Sequence, residues 1–292
     1  MRDRSYDISM FEDTMQILKQ GWYEKNDRKI SLKLSAADMQ SIQVCLPDDV
    51  KAICDNTEFK PTAAVNGNCI HTCENTDSYA MARRRLAEGC SKILVLNLAS
   101  PVHPGGGVRR GARAQEEDLC RKSSLLLSLE SKAARKYYDY NNGLHSFMGS
   151  DALMITPQVE IIKDENGVLL DDTAVISVLT CAAPKVSNGK DGMKETAYRE
   201  LVYNRIIGML KCAAYFGYTN LVLGAWGCGA YGNDASVISD LFRRALNELD
   251  YNRFQENDLF SRIDFAVLDR TASQFNYKQF KRNFGAQSYH RS

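Results

Sequence analysis

No stretch of the 292-residue chain approaches the roughly 18 consecutive apolar residues that a membrane-spanning helix needs, so no membrane association is expected. The opening residues, MRDRSYDISMFEDTMQILKQ, are charged and mixed, unlike a secretory leader. Cysteine occurs nine times but never as C-x-x-C, which argues against a disulfide framework and for a reducing compartment. A cytoplasmic protein is the expectation. Net charge is also nearly absent: 37 Lys and Arg against 36 Asp and Glu leave +1. That excludes bulk polycation behaviour, so sequence-specific nucleic-acid binding is not expected and any polyanion must be met by a local patch. Arg109, Arg110 and Arg113 are the candidates for such a patch, although a solvated basic loop reads the same way. The chain carries no internal repeat, no low-complexity tract and no Gly-Lys-Ser/Thr of an NTPase phosphate loop.

What is present is a succession of short buried-strand patterns and amphipathic helices. KILVLNL (Lys92–Leu98), TAVISVLTCAA (Thr173–Ala183), NLVLGAW (Asn220–Trp226) and RIDFAVLD (Arg262–Asp269) are continuous apolar runs rich in β-branched residues, as parallel strands covered on both faces tend to be. Helical periodicity covers Asn75–Gly89, Glu117–Ala134 and Lys194–Gly217, the last ending on a glycine. A fourth helix is predicted over Ala235–Leu249, with Asn233 or Asp234 available as its cap. Strands alternating with helices imply an α/β fold around a mostly parallel sheet. The first 74 residues are less regular, with loop material at 56–68, and read as an N-terminal extension packed on a domain formed by residues 75–292.

Cys69, His71 and Cys73 are the one local cluster with ligand chemistry. A zinc site normally takes four ligands, and no second cluster of suitable spacing accompanies them, so half-buried structural side chains are the preferred reading.

Two glycine-rich segments follow two of the strands, at the carboxyl edge where parallel sheets bind their ligands. The first is PGGGVRRGARAQEEDLCR (Pro104–Arg121), in which three glycines lead into Gln115-Glu116-Glu117 at a helix start. The second is GAWGCGAYGND (Gly224–Asp234). Glycine lets a backbone take positive φ and come close to a partner, and loops of this kind present N–H groups to anions. Carboxylates are poor neighbours for a bound anion, so Glu116 and Glu117 suggest chemistry beside an anion site. The bland alternative is that two acidic residues in a first turn merely complement the helix dipole. Gly227, Gly229 and Gly232 match the spacing of a dinucleotide fingerprint, but late in the chain and without its context, so hydride transfer is rejected. Adjacent glutamates on a helix diverge by about 100° and cannot flank one glycosidic bond from opposite sides as two glycosidase carboxylates do. One of them can act as acid and base while the other binds a hydroxyl.

Asn97-Leu98-Ala99-Ser100, Gly105-Gly106-Gly107, seven residues and Gln115-Glu116-Glu117, together with NTDSYAMARRRL, the Ser150–Leu170 segment, VLTCAAP and GAWGCGAYGND, resemble the microbial-type poly(ADP-ribose) glycohydrolases from about Asn75 onward. Arg109, Arg110 and Ala235 depart from the family pattern. The resemblance implies a three-layer α/β/α macrodomain-like fold with a mostly parallel mixed sheet. It also implies hydrolysis of the O-glycosidic ribose–ribose bond of ADP-ribose polymers without metal or cofactor. Glu117 is then the general acid and base and Glu116 the ribose contact. Asn97, Gly105, Gly106, Gly107, Gln115, Gly227, Cys228, Gly229, Ala230, Tyr231 and Asn233 are implied to line the ligand. The expected partners are ADP-ribose, poly(ADP-ribose) or ADP-ribosylated protein. Removal of single ADP-ribosyl groups, or ADP-ribose binding without turnover, are the alternatives. Trp226 reads as packing, and His103 as an exposed loop residue.

Overall fold

The computed structural model describes residues 3–56, 69–253 and 259–285; most of the loop expected at 56–68 lies outside them. Its elements, in chain order, are α1 (Arg4–Gln20), β1 (Trp22–Lys25), β2 (Arg28–Ser31), β3 (Gln43–Cys45), α2 (Pro47–Asp55), β4 (Ile70–Glu74), α3 (Ser78–Ala87) and β5 (Ile93–Leu98). They continue with α4 (Gln115–Lys122), α5 (Leu125–Leu129), α6 (Arg135–Gly143), β6 (Leu153–Lys163), β7 (Leu169–Cys181), α7 (Glu195–Tyr215), β8 (Asn220–Leu223), α8 (Ala235–Arg253), β9 (Arg262–Ala266) and α9 (Phe275–Phe284). β1 and β2 form a small antiparallel hairpin, and the other seven strands form one sheet in the order β3-β6-β7-β5-β8-β9-β4. The fold is thus the expected α/β arrangement, a mixed, mostly parallel sheet flanked by helices.

All four strands anticipated from apolar runs form: β5, β8 and β9 are one to three residues shorter than their runs, whereas β7 starts ahead of its run, at Leu169, and ends at Cys181. β5, β8, β9 and β4 run parallel, whereas β3, β6 and β7 pair antiparallel. The latter group was only partly legible, because β6 reads as mixed polar and apolar. Residues before 75 supply both edges of the sheet through β3 and β4. The chain divides into two compact units, one of residues 1–47, 97–145 and 152–182, the other of 48–96, 146–151 and 183–292, a division that does not follow residue 74.

In the first unit, the single helix predicted over Glu117–Ala134 is interrupted. α4 stops at Lys122, and Ser123 is extended (φ −152°, ψ 177°) and forms a bridge with Ile161 of β6. The cause is the serine pair. Ser123 Oγ donates to the Leu119 carbonyl at 2.9 Å and accepts from Leu125 N at 3.2 Å. Ser124 N donates to Glu160 O at 3.0 Å, and its Oγ accepts from Glu160 N at 2.9 Å. Serine competes with helical hydrogen bonds in this way wherever an acceptor is near, and here the competitor is β6. The chain resumes as α5, whose Leu125, Leu126 and Leu129 are buried.

Helix α1 braces the segment that precedes α4. Arg113 Nε pairs with the buried Asp7 at 2.5 Å, Arg109 stands over the Phe11 ring at 5.4 Å, and Thr14 Oγ1 donates to the Arg121 carbonyl at 2.5 Å. Lys163 of β6, itself buried, donates to Met10 O at 2.9 Å and pairs with Asp13 at 2.7 Å. These contacts tie α1 to the rest of its unit.

In the second unit, Asp77 caps α3 by accepting from Tyr79 N at 2.8 Å and Ala80 N at 3.0 Å. Asp234, not Asn233, caps α8, accepting from Ser236 N at 2.8 Å. Phe265 of β9 stacks on Phe284 with centroids 4.1 Å apart and meets Phe242 and Phe280, so that α8 and α9 close over one aromatic cluster. Cys73 of β4 is buried, its thiol pushed up to about 12 by desolvation, and His71 stacks on Phe284. Among the described residues no cluster of His, Cys, Asp or Glu could hold a metal ion, and no helix is long and apolar enough to cross a membrane.

The most concentrated buried charge lies between α3 and β9, where Arg85 holds Asp264 through Nε at 2.8 Å and Nη2 at 3.0 Å and Glu88 through Nη1 at 2.9 Å. Breaking a buried pair leaves the surviving charge desolvated. We predict that Arg85→Leu lowers stability by about 3 kcal/mol, read as a lower urea midpoint; an unchanged midpoint contradicts this account.

Candidate active site

The first unit holds Asn97, the glycine triplet and Gln115-Glu116-Glu117 together. β5 ends in Asn97 and Leu98; the chain then loops through 99–114 and enters α4 at Gln115. Three side chains of the first helical turn reach back to the segment that follows β5. Gln115 Oε1 accepts from Leu98 N at 2.8 Å. Glu116 Oε2 accepts from Ser100 N at 2.8 Å and its Oε1 from Asn97 Nδ2 at 3.3 Å, with a further backbone hydrogen bond from Gly105. Glu117 Oε1 accepts from Gly107 N at 2.9 Å. Asn97, Glu116 and Glu117 are all buried.

The expectation that the triplet offers its amides to a ligand's phosphate needs correction. Gly105 N serves Glu116, Gly106 N donates to His103 O at 3.0 Å and Gly107 N serves Glu117. The groups that this nest holds are the protein's own side-chain carboxyls. Gly106 shows why no side chain is tolerated: its φ is +57°, and a Cβ there would run into Glu117 Oε1.

Two buried acceptors are left over. Glu117 Oε2 and Asn97 Oδ1 have no hydrogen-bond partner. Buried polar atoms are nearly always paired, and an exception calls for a missing partner. What fits both atoms is a hydrogen-bonding partner from outside these side chains.

Desolvation, reinforced by the neighbouring Glu117, outweighs the hydrogen bonds that Glu116 accepts and pushes its carboxyl up to about 8 from an ordinary 4.5. The group therefore keeps its proton at neutral pH in the folded chain and loses it in the unfolded one. A raised acid contributes stability that is fully present below pH 4.5 and is lost as pH rises through about 8.

The second glycine segment lies in the other unit. Trp226 is fully buried, as packing requires. The turn closes through Cys228 N on Ala225 O at 3.0 Å and Asn233 N on Gly227 O at 3.1 Å. The Asn233 amide spans the loop: Nδ2 donates to Pro184 O at 2.8 Å and Gly227 O at 2.9 Å, while Oδ1 accepts from Tyr198 Oη at 2.6 Å. Sequence places Asn233 among ligand contacts, yet its side chain is committed to holding the loop. Gly227 (φ +76°) passes so close to that amide and to Ala183 that a Cβ would overlap both. Gly229 and Ala230 are exposed, and with Gly227 they have N–H groups that make no hydrogen bond in the turn. Burial pushes the Cys228 thiol far up, which suits neither a nucleophile nor a metal ligand. Tyr231 is half-buried, and its carbonyl accepts from Val186 N at 2.8 Å and Ser187 N at 3.0 Å.

Of the arginine patch, Arg109 pairs with Glu130 at 2.8 Å and Arg113 with Asp7, so most of its charge is neutralised locally. His103 is exposed. Sequence reasoning passed over Ser100, whose amide binds Glu116, and Thr180, whose hydroxyl meets Asn97; both lie inside quoted motifs, Asn97–Ser100 and VLTCAAP, without having been singled out.

Comparison with known proteins identifies the family. The family model described as microbial-type PARG, catalytic domain, matches residues 11–164. Among solved structures, poly(ADP-ribose) glycohydrolase (PARG) from Thermomonospora curvata is 29% identical, with a TM-score of 0.86 over 96% of this chain and 100% of that one. Its complex with the inhibitor ADP-HPD gives 28% and 0.84 over the same spans. The enzyme from Deinococcus radiodurans in complex with ADP-ribose is 33% identical, with a TM-score of 0.74 over 87% of this chain and 98% of that one. The comparison with curated proteins found no match. The fold and these matches define a macrodomain-like glycohydrolase. The chain belongs to the microbial-type poly(ADP-ribose) glycohydrolase family, and the family match begins at residue 11, well ahead of the Asn75 start read from motifs.

Two predictions follow from the glycine nest and its buried acid. Gly106→Ala should cost about 1–3 kcal/mol through its left-handed φ alone and displace Glu117, whereas Gly229→Ala, with nothing within 4 Å of a Cβ, should leave the melting temperature unchanged; equal melting of the two variants would contradict the assignment. Wild type should lose stability between pH 5 and 8.5 more steeply than Glu116→Gln, and parallel melting curves across that range would show that Glu116 does not titrate as described.

Proposed function

We infer that this protein hydrolyses the O-glycosidic ribose–ribose bond of poly(ADP-ribose) and releases ADP-ribose. The observation that carries the reading is the unpartnered Oε2 of buried Glu117, held by a bond from Gly107 to the same carboxyl, in a chain of this family. In this reading Glu117 Oε2 protonates the departing ribose oxygen and then, as carboxylate, takes a proton from water attacking the oxocarbenium-like carbon. Glu116 and Asn97 bind ribose hydroxyls, with Asn97 Oδ1 as the waiting acceptor, and Gln115 fixes the start of the loop after β5. Gly105, Gly106 and Gly107 act by placing Glu116 and Glu117. The free amides of Gly227, Gly229 and Ala230 bind the diphosphate, flanked by Cys228 and Tyr231, while Asn233 keeps their turn closed. The reaction needs no metal or cofactor, since a positioned carboxyl supplies both proton transfers. A cytoplasmic setting fits nine free thiols.

The test is release of ADP-ribose from poly(ADP-ribose). Glu117→Gln should reduce it by about a hundredfold or more, the usual worth of a general acid and base, while calorimetry finds ADP-ribose binding retained. Undiminished release by the variant would remove Glu117 from the chemistry. Binding without release by wild type would instead favour a reader, or an enzyme for single ADP-ribosyl groups.

A further inference from the structure

The Asn97 amide has two hydrogens and one oxygen, and the structure commits both hydrogens. Nδ2 lies 3.3 Å from Glu116 Oε1 and 3.3 Å from Thr180 Oγ1. Because both N–H groups are held, Oδ1 is turned away from both acceptors, and it is this oxygen that remains without a partner. Thr180 lies near the end of β7 and is fully buried, as is Asn97 near the end of the neighbouring β5. A threonine in a strand has few χ1 options, so its hydroxyl is fixed by the sheet itself. Glu116 is the other anchor, its carboxyl itself held by Ser100 and Gly105.

We propose that Thr180 is a positioning residue for ADP-ribose binding, its hydroxyl locking the Asn97 amide so that Oδ1 faces a ribose hydroxyl of the ligand. The proposal rests on the reading of Asn97 as a ligand contact. Thr180→Val keeps the shape of the side chain and removes the acceptor; one Asn97 hydrogen is then unheld and the amide is free to turn. Thr180→Ser restores an oxygen at the same position.

The experiment is calorimetric binding of ADP-ribose to wild type, Thr180→Val, Thr180→Ser, Asn97→Ala and the Asn97→Ala/Thr180→Val double variant, with melting temperatures alongside. Thr180→Val should weaken binding about five- to tenfold, the worth of one hydrogen bond, with little change in melting; Thr180→Ser should lie within about twofold of wild type. The double variant should bind no more weakly than Asn97→Ala alone, because Thr180 acts through Asn97. Unchanged affinity in Thr180→Val, a serine variant as weak as the valine one, or additive losses in the double variant would each overturn the proposal. If the valine variant melts far lower, Thr180→Ala carries the same comparison. No binding by wild type would overturn the reading of the site and this proposal with it, whereas wild-type binding with an indifferent Thr180→Val overturns this proposal alone.

Discussion

A backbone amide donating to a carboxylate is an ordinary contact, and the architecture of the first unit depends on a small set of them. The amides of Ser100, Gly105 and Gly107 close on Glu116 and Glu117, joining the loop after β5 to the first turn of α4. An acidic first turn already suits the positive end of a helix. Here the same turn also terminates backbone donors that would otherwise need solvent. Two requirements, satisfying a loop and holding two carboxyls in fixed positions, are met by one arrangement.

That arrangement demands support from outside itself. The loop between the triplet and α4 is clasped by α1 through the Asp7–Arg113 pair and Phe11 under Arg109. The start of the chain therefore acts as part of the site's frame, in keeping with a family match that begins at residue 11. On the other side, β6 interrupts what would have been one long helix by capturing Ser123 and Ser124. The interruption lets α4 be short, with only its first turn serving the loop.

Much of this was legible in the residues. The strands ending near Leu98 and Leu223, and the helices that follow them, are continuous apolar runs and periodic stripes, and these patterns are set by burial. The direction in which the glycine amides point was not legible. A triplet of glycines announces a close approach without naming the partner, and the partner proved to be ten residues further along the same chain. The short edge strands β3 and β4 were also missed, because QVC and IHTCE mix polar with apolar residues and form no continuous apolar run. Asn233 was misplaced for a related reason: an asparagine beside glycines suits a ligand or a turn equally, and only the Tyr198 and Pro184 partners decide between them. The broken helix shows the converse, since Ser123 and Ser124 interrupt an otherwise helical pattern only because Glu160 lies opposite.

Glu117 is tethered by one oxygen to Gly107, and the other is bare. A carboxyl held in this manner has a single place at which a proton can be given or received. Within the proposed reaction, the alcohol that leaves and the water that arrives must occupy that place in turn. The departing sugar has to clear the tethered acid before hydrolysis can finish, so the order of events is written into one backbone hydrogen bond.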